Sequence, residues 1–182
     1  MIRINYLVLV LTLFCISCKK DKAEIDENRV VFEKLDGDYR IFAASSDQPY
    51  DINMDGFKDA DLMNELPNLS SSFITIVVSK QMKTFRLSWV EQFVNADPLP
   101  ARYYYIDQGG INTFDVDQKI EHVFIKKGAP ENSKFSLPYS VDVSVKDRVR
   151  IGLVRNIITS AGEKTIHIDA IYKKIRSDRT YK

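Results

Sequence analysis

The sequence predicts an all-β domain, built as a sandwich or as an antiparallel barrel of about eight strands. Three observations support this prediction. Apolar and polar residues alternate with a period of two through most of the chain after residue 38. Short segments rich in glycine, proline, aspartate and serine separate these alternating runs. One convincing helix is predicted, at residues 59–66, and it is stopped by Pro67.

The predicted strands are defined by their side-chain pattern and by the breaks between them. Residues 72–78 form a β-branched and aromatic run that is typical of a buried strand. In the next run, Phe85, Leu87 and Trp89 fall on one face of the strand. The predicted strands span residues 39–43, 72–78, 84–93, 102–106, 120–125, 139–145, 148–154 and 165–172. The clearest breaks lie at residues 97–100, 108–110, 127–130 and 160–162.

The composition is that of one globular domain without a strong net charge. The chain has 182 residues, of which 26 are basic and 25 acidic, and 45% of its residues are apolar. The near-neutral charge argues against a dedicated nucleic-acid-binding protein, which is usually strongly basic. Residues 146–182 carry ten basic and four acidic residues. We interpret this bias as the solvent face of edge strands or as a contact surface for an anionic partner.

The first 17 residues have the pattern of a secretory signal peptide. Arg3 supplies a positive charge, and residues 6–16 are apolar except for Thr12. This stretch is too short to cross a bilayer as a helix, which needs about 20 residues, but it fits the apolar region of a signal peptide. Strongly polar residues follow at once, which argues against a buried N-terminal helix.

A candidate lipid attachment site, Cys18, follows the signal. The stretch Cys15-Ile16-Ser17-Cys18 resembles the relaxed lipobox of Bacteroidota lipoproteins, in which a small residue precedes the lipidated cysteine. The resemblance implies a lipid anchor in the outer membrane, with the protein facing either the periplasm or the cell surface. A signal peptide that is cleaved without lipidation is the alternative. If Cys15 leaves with the signal and Cys18 is lipidated, no thiol is left for catalysis or for an internal disulfide.

The predicted organisation has four parts. Residues 1–17 are the signal peptide, and residues 18–30 combine the lipidated cysteine with a polar tether. Residues 31–176 form the β domain, and residues 177–182 form a polar tail. The tether prediction rests on residues 19–29, which contain four basic, four acidic and only two apolar residues.

The strongest chemical motif is a D-x-N-x-D-G loop between the first two predicted strands. Asp51, Asn53 and Asp55 place oxygen atoms at alternate positions. Gly56 permits the sharp turn that folds such a loop around one hard cation, and the backbone carbonyl of the next residue can add a further oxygen. The predicted ligands of this site, with calcium as the ion, are Asp51, Asn53, Asp55, the Phe57 carbonyl, Asp59 and Asp61.

This loop departs from an EF-hand in two respects. No helix precedes it, and Leu62 stands where an EF-hand has its bidentate glutamate. Asp61 is one residue earlier, and Glu65 lies one helical turn beyond Asp61. Asp59 is open to three interpretations: a direct ligand, a ligand through water, or the N-cap of the short helix. The alternative to a calcium site is a solvated acidic loop that binds no metal.

The order of these motifs resembles that of lipocalin-like lipoproteins of the Bacteroidota. The resemblance is carried by Gly37-x-Tyr39, by the calcium loop with its short helix at residues 62–66, and by the closing strand at residues 168–174. It spans residues 31–176. It implies an up-and-down barrel or half-barrel of about eight strands, with one short helix after the loop. It also implies a binding or interaction role without enzymatic activity.

Catalysis is not expected from the residue types available. His122 and His167 both lie in predicted strands. The alternation predicts that His122 points inward with Ile120 and Phe124, and it places Asp169 on the face of His167. The sequence has no zinc-ligand spacing of the H-E-x-x-H type and no glycine-rich phosphate loop. We therefore expect a non-enzymatic protein whose ligand is a small molecule, a glycan or another protein.

Two more specific functions stay open. One is a cell-surface protein that binds glycans or assists in their processing, for which the tyrosines at 103–105 would stack on sugars. A tyrosine-lined surface near the calcium loop would favour this function. The other is a carrier of small apolar ligands, which requires an open cavity inside the barrel.

Overall fold

The protein forms a β barrel with two helices in the computed structural model, which describes residues 26–95, 102–126 and 137–182. The helices are α1 (Glu27–Leu35) and α2 (Leu62–Glu65), and a 3-10 turn follows at Leu69–Ser71. The strands are β1 (Gly37–Tyr50), β2 (Asp59–Asp61), β3 (Phe73–Val78), β4 (Lys83–Asn95), β5 (Arg102–Val116), β6 (Val123–Ile125), β7 (Ser140–Asp142), β8 (Arg148–Thr159) and β9 (Gly162–Arg176).

The strands follow one another around the barrel as an up-and-down meander. Eight of them pair in the order β6-β5-β4-β3-β1-β9-β8-β7, all antiparallel, while the short strand β2 pairs with β1 beside this path. The two ends of the sheet meet at a bridge between His122 and Asp142, where the Val143 N–H donates to the Glu121 carbonyl at 2.7 Å. The barrel is therefore nearly closed, and the predicted antiparallel barrel of eight strands with a short helix after the loop is confirmed.

Large side chains fill the interior of the barrel. On β8, Val149, Ile151 and Leu153 alternate inward and are buried, as the two-residue repeat of a strand requires. The largest buried side chains, each at most 1% exposed, are Trp89, Tyr39, Tyr172, Phe85 and Phe114. Because protein interiors pack at close to crystal density, these rings occupy space that a carrier would leave open for its ligand.

One ion pair lies among these apolar residues. Arg155 of β8 donates from Nε to Oε1 of Glu91 of β4 at 2.7 Å, and the two side chains are 4% and 17% exposed. Strands β4 and β8 lie on opposite walls of the barrel. Burial raises the pKa of Glu91, although the neighbouring guanidinium of Arg155 acts to lower it. Since separating a buried charge from its partner is costly, this pair favours one arrangement of the two walls.

The predicted chain break at residues 108–110 is wrong, because β5 continues through it. Gly110 pairs with Leu87 and Gly109 pairs with Ser88 in an uninterrupted register. A Cβ atom on Gly109 would lie 2.9 Å from the carbonyl oxygen of Leu87. The glycine therefore permits a close approach of two strands, which is the other common reason for glycine within a strand.

The predicted break at residues 160–162 is confirmed. It forms the hairpin between β8 and β9, in which Thr159 pairs with Gly162. Gly162 has φ +92°, a backbone conformation that favours glycine. The predicted breaks at residues 97–100 and 127–130 lie outside the described residues.

The barrel has two different ends, which we call the helix end and the loop end. The helix end carries α1 and the turn at residues 79–82. The loop end carries residues 51–72 and the β8–β9 turn at residues 160–161. Strand β1 runs the whole distance, from Gly37 beside α1 to Tyr50 at the loop. The predicted calcium loop is thus at the end of the barrel opposite to α1.

Helix α1 begins within the residues predicted to be a tether. The side chain of Asp26 caps it by accepting from the N–H of Arg29, and Val31 and Leu35 are buried. The hydroxyl of Tyr39 donates to the carbonyl of Leu35 at 2.6 Å and so ties the helix to β1. The predicted domain boundary at residue 31 therefore falls inside α1.

Among the described residues, neither helix is long enough and apolar enough to span a bilayer.

The residues predicted as a polar tail fold back onto the helix end. Arg179 donates from Nη2 to Asp38 at 2.7 Å and from Nη1 to the buried carboxylate of Asp36 at 3.4 Å. The hydroxyl of Tyr181 donates to Asp26 at 2.8 Å, and its ring lies 5.3 Å from the ring of Phe32. The tail therefore holds α1 and β1 together.

We predict that acid weakens this contact. Burial acts to raise the pKa of Asp38, but hydrogen bonds from Arg179 and Thr75 outweigh it and hold the pKa below its usual value of 3.8. Because the folded-state pKa is the lower one, ionised Asp38 stabilises the fold above pH 3.8, and this stabilisation is lost as the pH falls through the folded-state pKa.

Thermal melting at decreasing pH checks this prediction. Wild type should be more stable than Asp38→Asn at neutral pH, and the difference should vanish in acid. Asp178→Asn is the control, since Asp178 pairs with Arg176 at 3.4 Å on the surface and both side chains are more than 60% exposed. If Asp38→Asn and wild type melt alike at every pH, the prediction is contradicted.

Candidate metal centre

The D-x-N-x-D-G segment folds into a compact loop between β1 and β2. Pairing of Tyr50 with Asp59 brings the two ends of the loop together. Met54 and Gly56 have φ values of 63° and 90°, so the chain turns through two left-handed residues. A Cβ atom on Gly56 would meet nothing within 4 Å, so glycine is favoured there by its backbone conformation and not by lack of space.

Polar side chains of the loop accept hydrogen bonds from backbone N–H groups two residues ahead. Asn53 Oδ1 accepts from Asp55 N at 3.0 Å, and Asp55 Oδ1 accepts from Phe57 N at 2.8 Å. The same arrangement joins Asp59 Oδ1 to Asp61 N at 2.9 Å. These bonds are local turns that asparagine and aspartate favour, and they orient the side chains around the loop.

Asp51 is the buried member of the set. Its side chain is 3% exposed, and Oδ2 accepts from the Gly56 N–H at 3.2 Å across the loop. The other oxygen, Oδ1, is buried and has no hydrogen-bond partner. Leaving a buried carboxylate oxygen unpaired costs free energy, and a bound cation is one of the few ways to compensate for it. A pocket of about 260 Å³ opens beside Asp51, between Lys58 and Lys164.

The predicted ligands fall into two groups. Asn53 and Asp55 are joined by a 3.0 Å hydrogen bond from Nδ2 to Oδ2, and they lie in the same turn as Asp51. Asp59 and Asp61 are instead tied to the short helix. Asp59 Oδ2 accepts from the Asn64 amide at 2.8 Å, and Asp61 caps α2 by accepting from Met63 N at 2.9 Å. The N-cap of α2 is therefore Asp61, and the interpretation of Asp59 as this N-cap is wrong.

The hydrogen bonds around Asp59 favour its ionised form. The N–H of Asp61 and the amide of Asn64 lower the pKa of Asp59.

Phe57 has a side chain that is 78% exposed, so any contribution it makes to a metal site comes from its backbone. Within residues 26–95, 102–126 and 137–182, no three His, Cys, Asp or Glu side chains are grouped closely enough to hold a metal ion. A complete site therefore needs the Asn53 amide and backbone carbonyls among its ligands.

Glu65 is a residue of α2 that supports the loop in a way that the sequence did not predict. It is 2% exposed, and Oε2 accepts from Ile52 N at 2.7 Å and from Asn53 N at 3.3 Å. The carboxylate thus supports the start of the loop from the first turn of α2. The available signal was its position one helical turn after Asp61, beside the buried residues Leu62 and Leu66.

The histidines take no part in this centre. His122 is exposed, so the prediction that it points inward is wrong; it shares an outward face with Phe124, which is 57% exposed. His167 is also exposed, and its N–H donates to Asp47 at 3.3 Å. His122 lies near the helix end and His167 nearer the loop end, so they do not share a site.

No protein-family model, no curated protein and no solved structure matches this chain. The lipid attachment residue predicted from the sequence, Cys18, lies outside the described residues.

We predict that Glu65 stabilises the fold in the absence of any metal. In Glu65→Ala, the buried N–H of Ile52 loses its acceptor, which should cost about 1–3 kcal/mol of unfolding free energy. Urea unfolding in the presence of a chelator measures this loss. Glu65→Gln keeps an acceptor and should lose less. Asp55→Ala is the control, because Asp55 is exposed; an equal loss in the Asp55 and Glu65 variants would contradict the assignment.

Proposed function

We propose that this protein is a non-enzymatic extracytoplasmic lipoprotein whose barrel binds calcium at residues 51–61 and serves as a binding module. The observation that carries the calcium assignment is the buried, unpartnered Oδ1 of Asp51 at the first position of a D-x-N-x-D-G loop. Cys18 would hold the lipid anchor in the outer membrane, facing the periplasm or the cell surface.

Oxygen donors and negative charge favour calcium over other ions. The residues that the motif offers to hold it are Asp51, Asn53, Asp55, the Phe57 carbonyl, Asp59 and Asp61, with Glu65 supporting the loop. Since no three carboxylates are grouped among the described residues, binding would draw Asp59 and Asp61 away from the Asn64 amide and the Met63 N–H. The segment carries four aspartates and one lysine, hence a formal charge of −3. Magnesium demands near-ideal octahedral geometry and gives up its water reluctantly, whereas calcium accepts six to eight mixed oxygen ligands. A bound ion would neutralise the loop and pin it to the barrel.

The position of the loop supports a binding role. Helix α1 begins within the last residues of the predicted tether, and the loop lies at the opposite end of the barrel. In an anchored protein, the helix end would therefore face the membrane and the loop end would face away from it. This orientation presents the candidate calcium site and its neighbours to a ligand or partner.

We predict that calcium raises the melting temperature of the protein. At a hundredfold excess over the dissociation constant, the gain in unfolding free energy should be about 2.7 kcal/mol. Differential scanning calorimetry with calcium, with magnesium and with a chelator measures the shift. Asp51→Ala combined with Asp55→Ala should abolish it.

The matched control removes two other aspartates. Asp115→Ala with Asp117→Ala deletes the same charge, and these residues lie on the surface near the helix end. Its calcium-induced shift should equal that of wild type. A wild-type protein that melts at the same temperature with calcium and with chelator would refute the calcium site.

The second candidate function is glycan binding, and one observation favours it. Tyr103 and Tyr104 are 37% and 43% exposed, and the next tyrosine, Tyr105, contacts the start of the loop at Ile52. The rings of Phe93 and Tyr104 stack 5.5 Å apart and nearly parallel, at 18°. Such a pair offers an aromatic surface of the kind on which a sugar ring can stack. By contrast, the filled interior offers no support for an apolar-ligand carrier.

We predict that this aromatic surface binds polysaccharide. Pull-down of the protein with a broad set of soluble and insoluble polysaccharides should find at least one ligand, and Tyr104→Ala should weaken that binding because it removes the stacking surface. Tyr139→Ala is the control, since Tyr139 is 66% exposed elsewhere on the barrel. Absence of binding to every polysaccharide would rule out this second function.

A further inference from the structure

The ends of β4 and β5 next to the loop end form an exposed arm, which we define as residues 91–95 and 102–107. Its exposed apolar side chains are Val94, Tyr103, Tyr104 and Ile106, which are 37–43% exposed. Apolar burial therefore contributes little to holding the arm in place. Its position depends instead on a few specific contacts with other parts of the loop end.

Two contacts join the arm to β8: the Glu91–Arg155 ion pair described above and a backbone pairing made by Gln92. The side-chain amide of Gln92 donates to the carbonyl of Ile158 at 3.0 Å, and its Oε1 accepts from the N–H of the same residue at 2.7 Å. Gln92 thus pairs with the backbone of β8 as a neighbouring strand would. Because β4 and β8 are on opposite walls of the barrel, this pairing draws the arm over the loop end.

A further contact joins the arm to the candidate metal loop. The hydroxyl of Tyr105 donates to the carbonyl of Ile52 at 3.2 Å and accepts from the Gln92 amide at 3.3 Å. Burial raises the pKa of Tyr105, so the hydroxyl keeps its proton and remains a donor at neutral pH. Tyr105 therefore links the residue that pairs with β8 to the backbone of the loop.

Ile52 connects the contacts of Gln92 and Tyr105 to the cation ligands. Its N–H donates to Glu65, and the residue before it is Asp51, whose carbonyl accepts from Ser160 N at 3.0 Å. These hydrogen bonds, together with the covalent chain at residues 51–52 and 158–160, form a closed circuit through Asp51, Ile52, Tyr105, Gln92, Ile158 and Ser160. The planar peptide unit between Asp51 and Ile52 carries the carbonyl bonded by Ser160 and the N–H bonded to Glu65, and the next unit carries the Ile52 carbonyl that holds Tyr105. The two units meet at the Ile52 Cα, so a displacement of Asp51 reaches the Tyr105 acceptor across a single residue.

We propose that cation binding at the loop fixes the position of the β4–β5 arm through the Ile52–Tyr105 hydrogen bond, and so controls whether the arm presents a formed aromatic surface. This inference rests on the calcium site proposed above. Without the ion, repulsion among the loop aspartates loosens the turn at Asp51, and Tyr105 loses its fixed acceptor. With the ion bound, the circuit closes and Phe93 and Tyr104 are held in one arrangement. Calcium would then act as a regulator of ligand binding as well as a structural ion.

Hydrogen exchange of the purified protein, with and without calcium, tests the coupling. In wild type, calcium should slow exchange of the arm amides by about tenfold, which corresponds to about 1.4 kcal/mol. Fluorescence of Trp89, the single tryptophan of the chain, gives a second readout on β4, two residues from the arm. Calorimetry on the same samples measures calcium binding separately.

Tyr105→Phe keeps the ring and removes the hydroxyl, so it should still bind calcium, with an affinity lower by up to about tenfold because coupling is reciprocal, and should lose the calcium-dependent protection of the arm. Tyr103→Phe removes a hydroxyl from the same strand and should behave as wild type in both measurements. Gln92→Met cuts the circuit on the side of β8 and should also lose the arm response. This second variant keeps the test decisive if Tyr105→Phe does not fold.

The outcomes separate the two proposals. If calcium binds wild type but the exchange of the arm is unchanged, the coupling is wrong and the calcium site stands. If Tyr105→Phe and Gln92→Met both keep the full arm response, the proposed route through Ile52 is wrong. If calorimetry detects no calcium binding, both the site and the coupling are overturned.

Discussion

The pairing of β1 with β9 is the constraint on which the rest of the barrel depends. It joins strands close to the two ends of the described chain, from Asp38 opposite Arg176 to Ser46 opposite Ile168. Closing so long a segment costs conformational entropy, and burial of residues such as Tyr39 and Tyr172 along this pair helps to offset it. The same pairing brings the C-terminal tail to the helix end and carries β1 onward to the loop.

Buried carboxylates determine the character of the loop end. Asp51 and Glu65 are at most 3% exposed, and both hold backbone N–H groups of the loop. A solvated acidic loop needs no such burial, because an exposed carboxylate keeps its water. Burial of a charged group is unfavourable unless hydrogen bonds or an opposite charge compensate for it. The hydrogen bonds of Ile52 and Tyr105 connect these buried carboxylates to the arm. The D-x-N-x-D-G loop and the arm that carries Phe93 and Tyr104 are therefore connected through Ile52 and Tyr105.

Sequence patterns predicted the strands well where one face is buried, because burial on one face leaves a period of two in the sequence. The prediction of strands and breaks was wrong where the same sequence pattern can arise from two different physical causes. The glycine pair in β5 has the composition of a turn, but it serves the close approach of β4. Helix α1 was missed because charged residues outnumber Val31 and Leu35, which its packing buries. The inward orientation expected for His122 was wrong, because its segment forms the seam of the barrel next to Asp142.

The sequence by itself determined the fold class and the oxygen-rich loop, since alternation and residue spacing are local properties. Other contacts were decided only by the tertiary structure. These are the burial of Asp51, the support of the loop by Glu65, the bridging of opposite walls by Gln92 and the folding back of Arg179. Each depends on distances between residues far apart in the chain, and such distances are set by the closed sheet and leave no periodic trace in the sequence.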